Sequence, residues 1–423
     1  MTTNRRRRSM AALAVLAALV LTSIDALIPA LHTADPGAVA AGTTEGTPVA
    51  PEPRSPVAVR TSEPAPTPAP APAVEPPSPP RRASIVMAGD LLWHNTVWQS
   101  AAADHAVTGD GRDGFDFDPM FAAVKPLVRL ADVALCHEEV PFALPGEPLQ
   151  SYPVFAAPPA VAPWIASMGF DGCTTASNHS VDQGWEGLAH TADLLSDNGV
   201  APIGTFTSRR ERRRPVILTT DGGVRVGVVA GTYGLNGLPL PQGRPWSVSL
   251  WDADNLLRQA RRAREAGADI VVVHLHGGNE YDHLPSADQV ALVDTLTRSD
   301  DVDLVLGEHA HVVQPITRVN GTWVVYGMGN LVAQQETTRP DTYEGIAVRF
   351  AFRERADGTF GVHEAAYVPL TWNVYGAPGP IRVRRVVADL EKGVGDRARL
   401  LDVRASVREA VNGLGRTPGL RER

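Results

Sequence analysis

Apolar and polar positions divide the chain into three textures. An unbroken apolar run at 10–21 follows Arg5, Arg6, Arg7 and Arg8, and a weaker one continues to about residue 31. Between 41 and 82 neither helical nor strand periodicity is present. From 83 onward, short apolar runs alternate with segments of helical spacing. Strands are predicted at 84–88, 133–136, 172–175, 224–230, 270–275 and 302–306. Helices are predicted at 118–130, 159–168, 185–198, 252–266 and 286–297. This alternation indicates βαβ units and sheets covered by helices, an α/β fold. Runs at 323–326, 345–352 and 360–368 have no helical segment between them and predict consecutive antiparallel strands. The tail, 386–423, is charged and partly helical.

Composition adds to this picture. With 423 residues, 43% of them hydrophobic, the chain can build one large domain or two smaller ones, plus tails. With a net charge of −8, nothing global points to a nucleic-acid partner, which favours basic surfaces. Basic residues before an apolar run read as a secretory signal peptide or an N-terminal membrane anchor over 1–40. The strongest run is shorter than the roughly 20 residues of a usual span, so both readings stay open. Either one leaves the arginines in the cytoplasm and places the rest outside it, anchored or secreted in the cell envelope. Twelve of the thirty residues 51–80 are proline. Such a segment cannot bury enough apolar surface to order itself, and 41–82 reads as a disordered, semi-extended spacer. The folded domain is expected over 83–385. Cys136 and Cys173 are the only cysteines. Both sit in apolar, strand-like stretches and are read as buried free thiols.

Polar residues collect just after the predicted strands: Gly89-Asp90, Glu138-Glu139, Ser177-Asn178-His179, His276 with Glu280, and His309-Ala310-His311. In α/β sheets, sites form beyond the carboxyl ends of strands, so these groups are expected to converge. Carboxylate, amide and imidazole together suit one or two divalent ions, among Mn, Fe, Zn and Mg. His309 and His311 are two apart and would share one side of an extended segment, serving neighbouring ions. His274, on the same side as His276, reads as packing or support.

These residues also carry a resemblance. Asn178-His179-Ser180-Val181-Asp182-Gln183-Gly184 resembles the N-H-x-x-D-x-G signature of the CapA family. That family comprises capsule or poly-γ-glutamate synthesis proteins related to calcineurin-like metallophosphoesterases. His276-Gly277-Gly278-Asn279-Glu280-Tyr281 resembles its H-x-G-x-E-Y, with Gln289 on the helix that follows. Residues 307–315 resemble G-x-H-x-H-x-x-Q-P, and 326–330 resemble Y-S-L-G-N. The resemblance implies a metallophosphoesterase-like layered α/β sandwich with mixed sheets. It implies metal ligands at Asp90, Glu139, Asn178, His276, His309 and His311. His179 would be a general acid oriented by Asp182. His94, His137, Glu280 and Asn330 are further candidate ligands or supporting residues. Four positions depart from the usual metallophosphoesterase pattern: Leu92 where it carries histidine, Glu139 where it carries aspartate (as the CapA family also has), His137 where many relatives carry asparagine, and Glu308 in place of a common histidine.

The implied function is synthesis, export or anchoring of an anionic extracellular polymer of the capsule or poly-γ-glutamate kind. The implied partners are that polymer or a phosphoester, and membrane-bound polymer synthesis machinery. Two other readings stand beside it: a secreted metal-dependent phosphoesterase or amide hydrolase with an unrelated substrate, and a non-catalytic polymer-binding module.

Overall fold

The computed structural model describes residues 79–423 with the exception of Tyr375. The expected export segment and most of the proline-rich spacer lie outside the described residues. The first half of the fold runs β1 (Arg82–Leu91), α1 (Asn95–Thr108), α2 (Asp118–Phe121), α3 (Lys125–Arg129), β2 (Val133–Glu138), α4 (Val161–Met168), β3 (Gly172–Thr174), α5 (Gly184–Asp197) and β4 (Ala201–Ile203). A second run follows: β5 (Val216–Thr219), β6 (Arg225–Thr232), α6 (Ala253–Glu265), β7 (Ile270–His276), α7 (Ala287–Thr297), β8 (Leu304–Glu308), β9 (Ile316–Val319) and β10 (Thr322–Val325). The chain ends with β11 (Asn330–Val332), β12 (Glu344–Glu354), β13 (Phe360–Thr371), β14 (Arg384–Arg385), α8 (Val386–Lys392), α9 (Arg397–Val411) and β15 (Leu420–Glu422).

Two mixed sheets result, as the α/β reading expected. One has the order β14-β13-β12-β1-β2-β3-β4, with β11 added to β1 and β15 to β13; the other is β5-β6-β7-β8-β10-β9. Strands β1 to β4 are parallel, as are β6, β7, β8 and β10, while the flanking strands run antiparallel. The sheets face each other across a shared core. Ile85, Met87, Val133 and Leu135 meet Val226, Val228, Ile270, Val272, Leu304 and Leu306 there. Alternate residues of the same strands face outward: Ala134 and Cys136 under α1 and α4, and Val271 and Val273 under α6. Burial on both faces explains why these strands are apolar throughout rather than alternating. After β14, α9 lays Leu400, Val403, Val407 and Val411 into the inter-sheet core. Their spacing puts them on one stripe of the helix.

Four expectations need correction. The helix at 118–130 is two short helices, because Pro119 and Pro126 each sit at a helix start; proline lacks the N–H and crowds the preceding turn. The run at 323–326 does not join the antiparallel meander. As β10 it lies in the other sheet, parallel to β8, and the chain crosses between sheets at 327–329. Helix α1 has no counterpart in the pattern, since its alanine-rich sequence is weakly amphipathic. Finally, Cys136 and Cys173 form a disulfide. They are direct register partners on the parallel strands β2 and β3, with a Cα separation of 4.5 Å. That places both sulfurs on one face of the sheet within bonding reach.

Candidate metal centre and its cleft

Along each inward-facing file of side chains, aliphatic residues give way to ionisable ones at the strand's carboxyl end. Leu135 is followed by His137, Val272 by His274 and His276, and Leu306 by Glu308. β1 supplies Asp90 by a different device. Its register to β2 pairs Met87 with Leu135 and Asp90 with His137. Three steps on β1 therefore match two on β2, a bulge. Without the extra residue Asp90 would have the opposite parity to Met87 and point into the outer layer. Gly89 permits the bulge. A Cβ there would lie 2.0 Å from the carbonyl oxygen of Gly329, and that oxygen accepts a 3.0 Å hydrogen bond from the Asp90 amide.

Three groups of ligand atoms result, each with its atoms within 4.8 Å of one another: Glu139, His276 and His309; Asp90, Glu139 and His311; and Asp90, His137 and His276. All of these residues are buried. Among the described residues, the carboxylate oxygens of Asp90 and of Glu139 lack a well-formed hydrogen bond, as do Nδ1 of His276 and Nδ1 of His309; the nearest approach is His311 Nδ1, 3.3 Å from Asp90 Oδ2. Leaving such groups unpaired in an interior costs several kcal/mol, of the order of 1–3 each. Divalent ions would satisfy them together, so the donor set fits that cofactor. Burial, then the neighbouring Asp90, pushes the Glu139 carboxyl well above its usual range. Burial, reinforced by Asp90 and Glu139, does the same to Glu308. Burial holds His309 down to about 3, with help from His311. Burial also opposes the His311 cation, but Glu139 and Asp90 outweigh it and raise this group to about 9.

Neighbouring residues orient the ligands. Asn330 Nδ2 donates to the carbonyls of His311 and Thr342, which turns its Oδ1 toward His311 Nδ1 at 3.0 Å. This leaves Nε2 of His311 facing Glu139, 4.0 Å away. His276 Nε2 lies 2.7 Å from Asn178 Oδ1 and 3.8 Å from Glu139 Oε1. Asn178 is held in turn by Asn236 at 3.1 Å. His309 and His311 are not in an extended segment, contrary to expectation. β8 ends at Glu308, and both histidines have positive φ, 99° and 56°. Left-handed backbone is uncommon outside glycine and concentrates at functional sites; here successive bends, not strand alternation, deliver the two rings to different sets. The loops are pinned from behind. Gln289 completes a capping box with Ser286 and donates to Gln314 Oε1, while Gln314 donates to the carbonyls of Asp282 and Leu284.

Beside the ligands lies a cleft of about 950 Å³ lined by His94, Asn178, His179, Asp182, Asn236, Glu280, Tyr281 and Gln334, among others. His179 Nδ1 meets Asp182 Oδ2 at 2.7 Å, and the same oxygen accepts from the Phe155 amide at 2.8 Å. The dyad is therefore fixed with Nε2 of His179 left for the cleft. His94 stands on the cleft wall, outside the three ligand groups. Its Nδ1 accepts from the Gln334 amide, and burial holds its pKa down to about 4. Glu280 also lines the cleft and belongs to none of the groups. Gln314, Thr174 and Ser177 were not singled out as site residues by sequence reasoning, whereas Asn236 belongs to the loop 231–237, which follows a strand and reads as able to border a substrate; it lines the cleft. Ser177 lies in the polar triplet after β3, donates to the Glu139 carbonyl at 2.5 Å and accepts from the His179 amide.

Comparison with known families now places the chain. Residues 84–335 match the family model described as "Bacterial capsule synthesis protein PGA_cap", and the chain belongs to that family of capsule synthesis proteins. Among individual relatives, it is 28% identical over 212 residues to the PGA biosynthesis protein CapA of Bacillus subtilis, covering 49% of this chain and 54% of that one. It is also 28% identical over 241 residues to the capsule biosynthesis protein CapA of Bacillus anthracis, covering 54% and 56%. The chain thus spans about half the length of the curated relatives it matches. Among solved structures, the calcineurin-like phosphoesterase YfkN of Bacillus subtilis aligns with a TM-score of 0.42 at 15% identity, covering 78% of this chain and 97% of that one.

Proposed function

We propose that the protein is a metal-dependent hydrolase that acts, outside the cytoplasmic membrane, on an anionic polymer of the capsule or poly-γ-glutamate kind during its synthesis, export or anchoring. The carrying observation is the pair of ligand groups that share Glu139 beside a cleft walled by the His179–Asp182 dyad. Divalent ions held by Asp90, Glu139, Asn178, His276, His309 and His311 would supply Lewis acidity and an activated water. Asn178 touches both regions, bonding His276 and lining the cleft. His179 holds a proton at Nε2, aligned by Asp182, and delivers it to a leaving oxygen or nitrogen. Among the described residues no lysine or arginine lines the cleft, so ions held by the ligand groups would be its main source of positive charge for an anionic substrate. Arg339, stacked on Tyr281 at 4.4 Å, adds a guanidinium near it. Manganese, iron and zinc suit the imidazole-rich set better than magnesium. The disulfide supports placement in an oxidising compartment. Among the described residues no helix is long and apolar enough to cross a membrane.

The test uses the full-length protein loaded with Mn²⁺ or Zn²⁺. It is offered poly-γ-glutamate, with chain length read by gel filtration, and a chromogenic phosphodiester. Metal-dependent cleavage that falls at least 100-fold in His179→Ala is expected. Metal-loaded protein that turns over neither substrate, in cells whose polymer is unchanged by deleting the gene, would refute the proposal. Fractionation, with protease access to intact cells, checks the location.

A further inference from the structure

The third ligand group shares Asp90 and His276 with the two outer ones and adds His137, which neither of them uses. His137 Nδ1 lies 3.0 Å from the Thr174 carbonyl oxygen and 2.8 Å from Thr174 Oγ1. The carbonyl can only accept. The hydroxyl donates its hydrogen to the Cys136 carbonyl, so it too is an acceptor toward the ring. Nδ1 must therefore carry the proton, and Nε2 presents a lone pair. That lone pair faces Asp90 Oδ1 at 3.8 Å, and neither atom has a hydrogen-bond partner. Two acceptors opposed in a dry interior call for a positive charge between them. A first-row ion about 2.1 Å from each nitrogen or oxygen ligand spans such a gap. His276 completes the group. Its Nε2 faces Asn178 and Glu139 on the outer side, so the unpartnered Nδ1 would join this group with the ring as a bridging imidazolate, its remaining ring proton released to solvent on metal loading. The unsatisfied atoms continue beyond it. His274, whose ring is 4.8 Å from that of His137, has no partner on either nitrogen, and Glu308, the register partner of His276, has none on either oxygen.

We propose that this chain holds a third, inner divalent-cation position, formed by Asp90, His137 and His276 behind the two outer ones. A carbonyl-anchored imidazole is the usual way to present a histidine lone pair to a metal, and two imidazoles with one carboxylate suit zinc, iron or manganese. The inference rests on the outer groups being a metal centre, and its test separates the two claims. Full-length wild type, His137→Asn, His309→Ala and the double variant are loaded with Zn²⁺, desalted and measured for metal equivalents per chain. Circular dichroism confirms folding. The expected result is one equivalent lost in His137→Asn, one in His309→Ala and two in the double variant. If His137→Asn does not fold, Thr174→Val takes its place, with inner-site affinity expected to fall at least tenfold. Metal in the wild type with none lost in the His137 variant, or a double variant that loses no more than His309→Ala, would overturn the inner position alone. A wild type that binds no metal would overturn both the inner position and the metal centre.

Discussion

Gly89→Ala is the sharpest perturbation available, because it tests the bulge that aims Asp90. The added Cβ would sit 2.0 Å from Gly329 O and 2.7 Å from the Asn330 carbonyl carbon. Both are backbone atoms of the neighbouring strand and cannot swing aside. Separating β1 from β11 by about 1 Å costs roughly 1–3 kcal/mol as overpacking. Loss of the Asp90 N–H to Gly329 O bond adds about 1 kcal/mol. A domain of ~345 residues unfolds with an entropy near 0.7 kcal/mol/K. The expected total of about 2–4 kcal/mol therefore lowers Tm by roughly 3–6 °C. Moving Asp90 also spoils its group with Glu139 and His311, so the metal-induced rise in Tm should shrink. Calorimetry with and without added Mn²⁺ reads both effects. Gly234→Ala is the control: a Cβ there meets nothing within 4 Å, and its cost should stay within about 0.5 kcal/mol. Gly89→Ala with an unchanged Tm and an unchanged metal response would show that the bulge is not what places Asp90.

Other outcomes follow from single contacts. Asn330→Ala leaves His311 Nδ1 only Asp90 Oδ2, 3.3 Å away, and removes the amide that fixes the ring; metal affinity, titrated by calorimetry, should fall about 10- to 100-fold. Replacing both Cys136 and Cys173 by alanine opens a link across 37 residues; chemical denaturation should show a loss of roughly 2–4 kcal/mol. Burial raises the Glu344 carboxyl from 4.5 to about 7, against the opposing pull of Ser406 and Arg399. The unfolded chain then releases this proton first, so stability falls as pH rises from 4.5 to 7. Glu344→Gln should flatten that decline by up to about 3 kcal/mol, read from denaturation curves at pH 5 and pH 8.

The alternation of apolar runs and helical spacing was enough to read β1 to β3, β6 to β8 and helices α4 to α7, but not α1 or the break between α2 and α3. These strands are buried on both faces, and their carboxyl ends are marked by Asp90, Glu139, Asn178, His276 and the His309–His311 pair. Pairing was harder to read. Nothing local tells that β10 joins β8 while β11, five residues later, joins β1, because the switch is a turn around Gly327 and Gly329 set by long-range contacts. The disulfide was missed for the same reason: Cys136 and Cys173 become neighbours only through the β2–β3 register. The bulge at Gly89 is invisible to periodicity, and the bends at His309 and His311 defeat an argument from extended backbone. Thr174 carries no signal of its own, since its importance comes from the ring it contacts.

The ligand groups draw Asp90, His137 and Glu139 from one sheet and His276, His309 and His311 from the other or the loop after it. They sit where the aliphatic packing between the sheets runs out. An ion at this place would be a fastener across the seam, its binding energy becoming folding energy. At a hundredfold excess over Kd one such ion adds about 2.7 kcal/mol. If ions fill the centre as proposed, the supply of metal around the protein would set how long the open end of the sandwich stays shut. A chelator should make the backbone amides of 276–283 and 308–313 exchange with solvent first, well before those of β1 and β12.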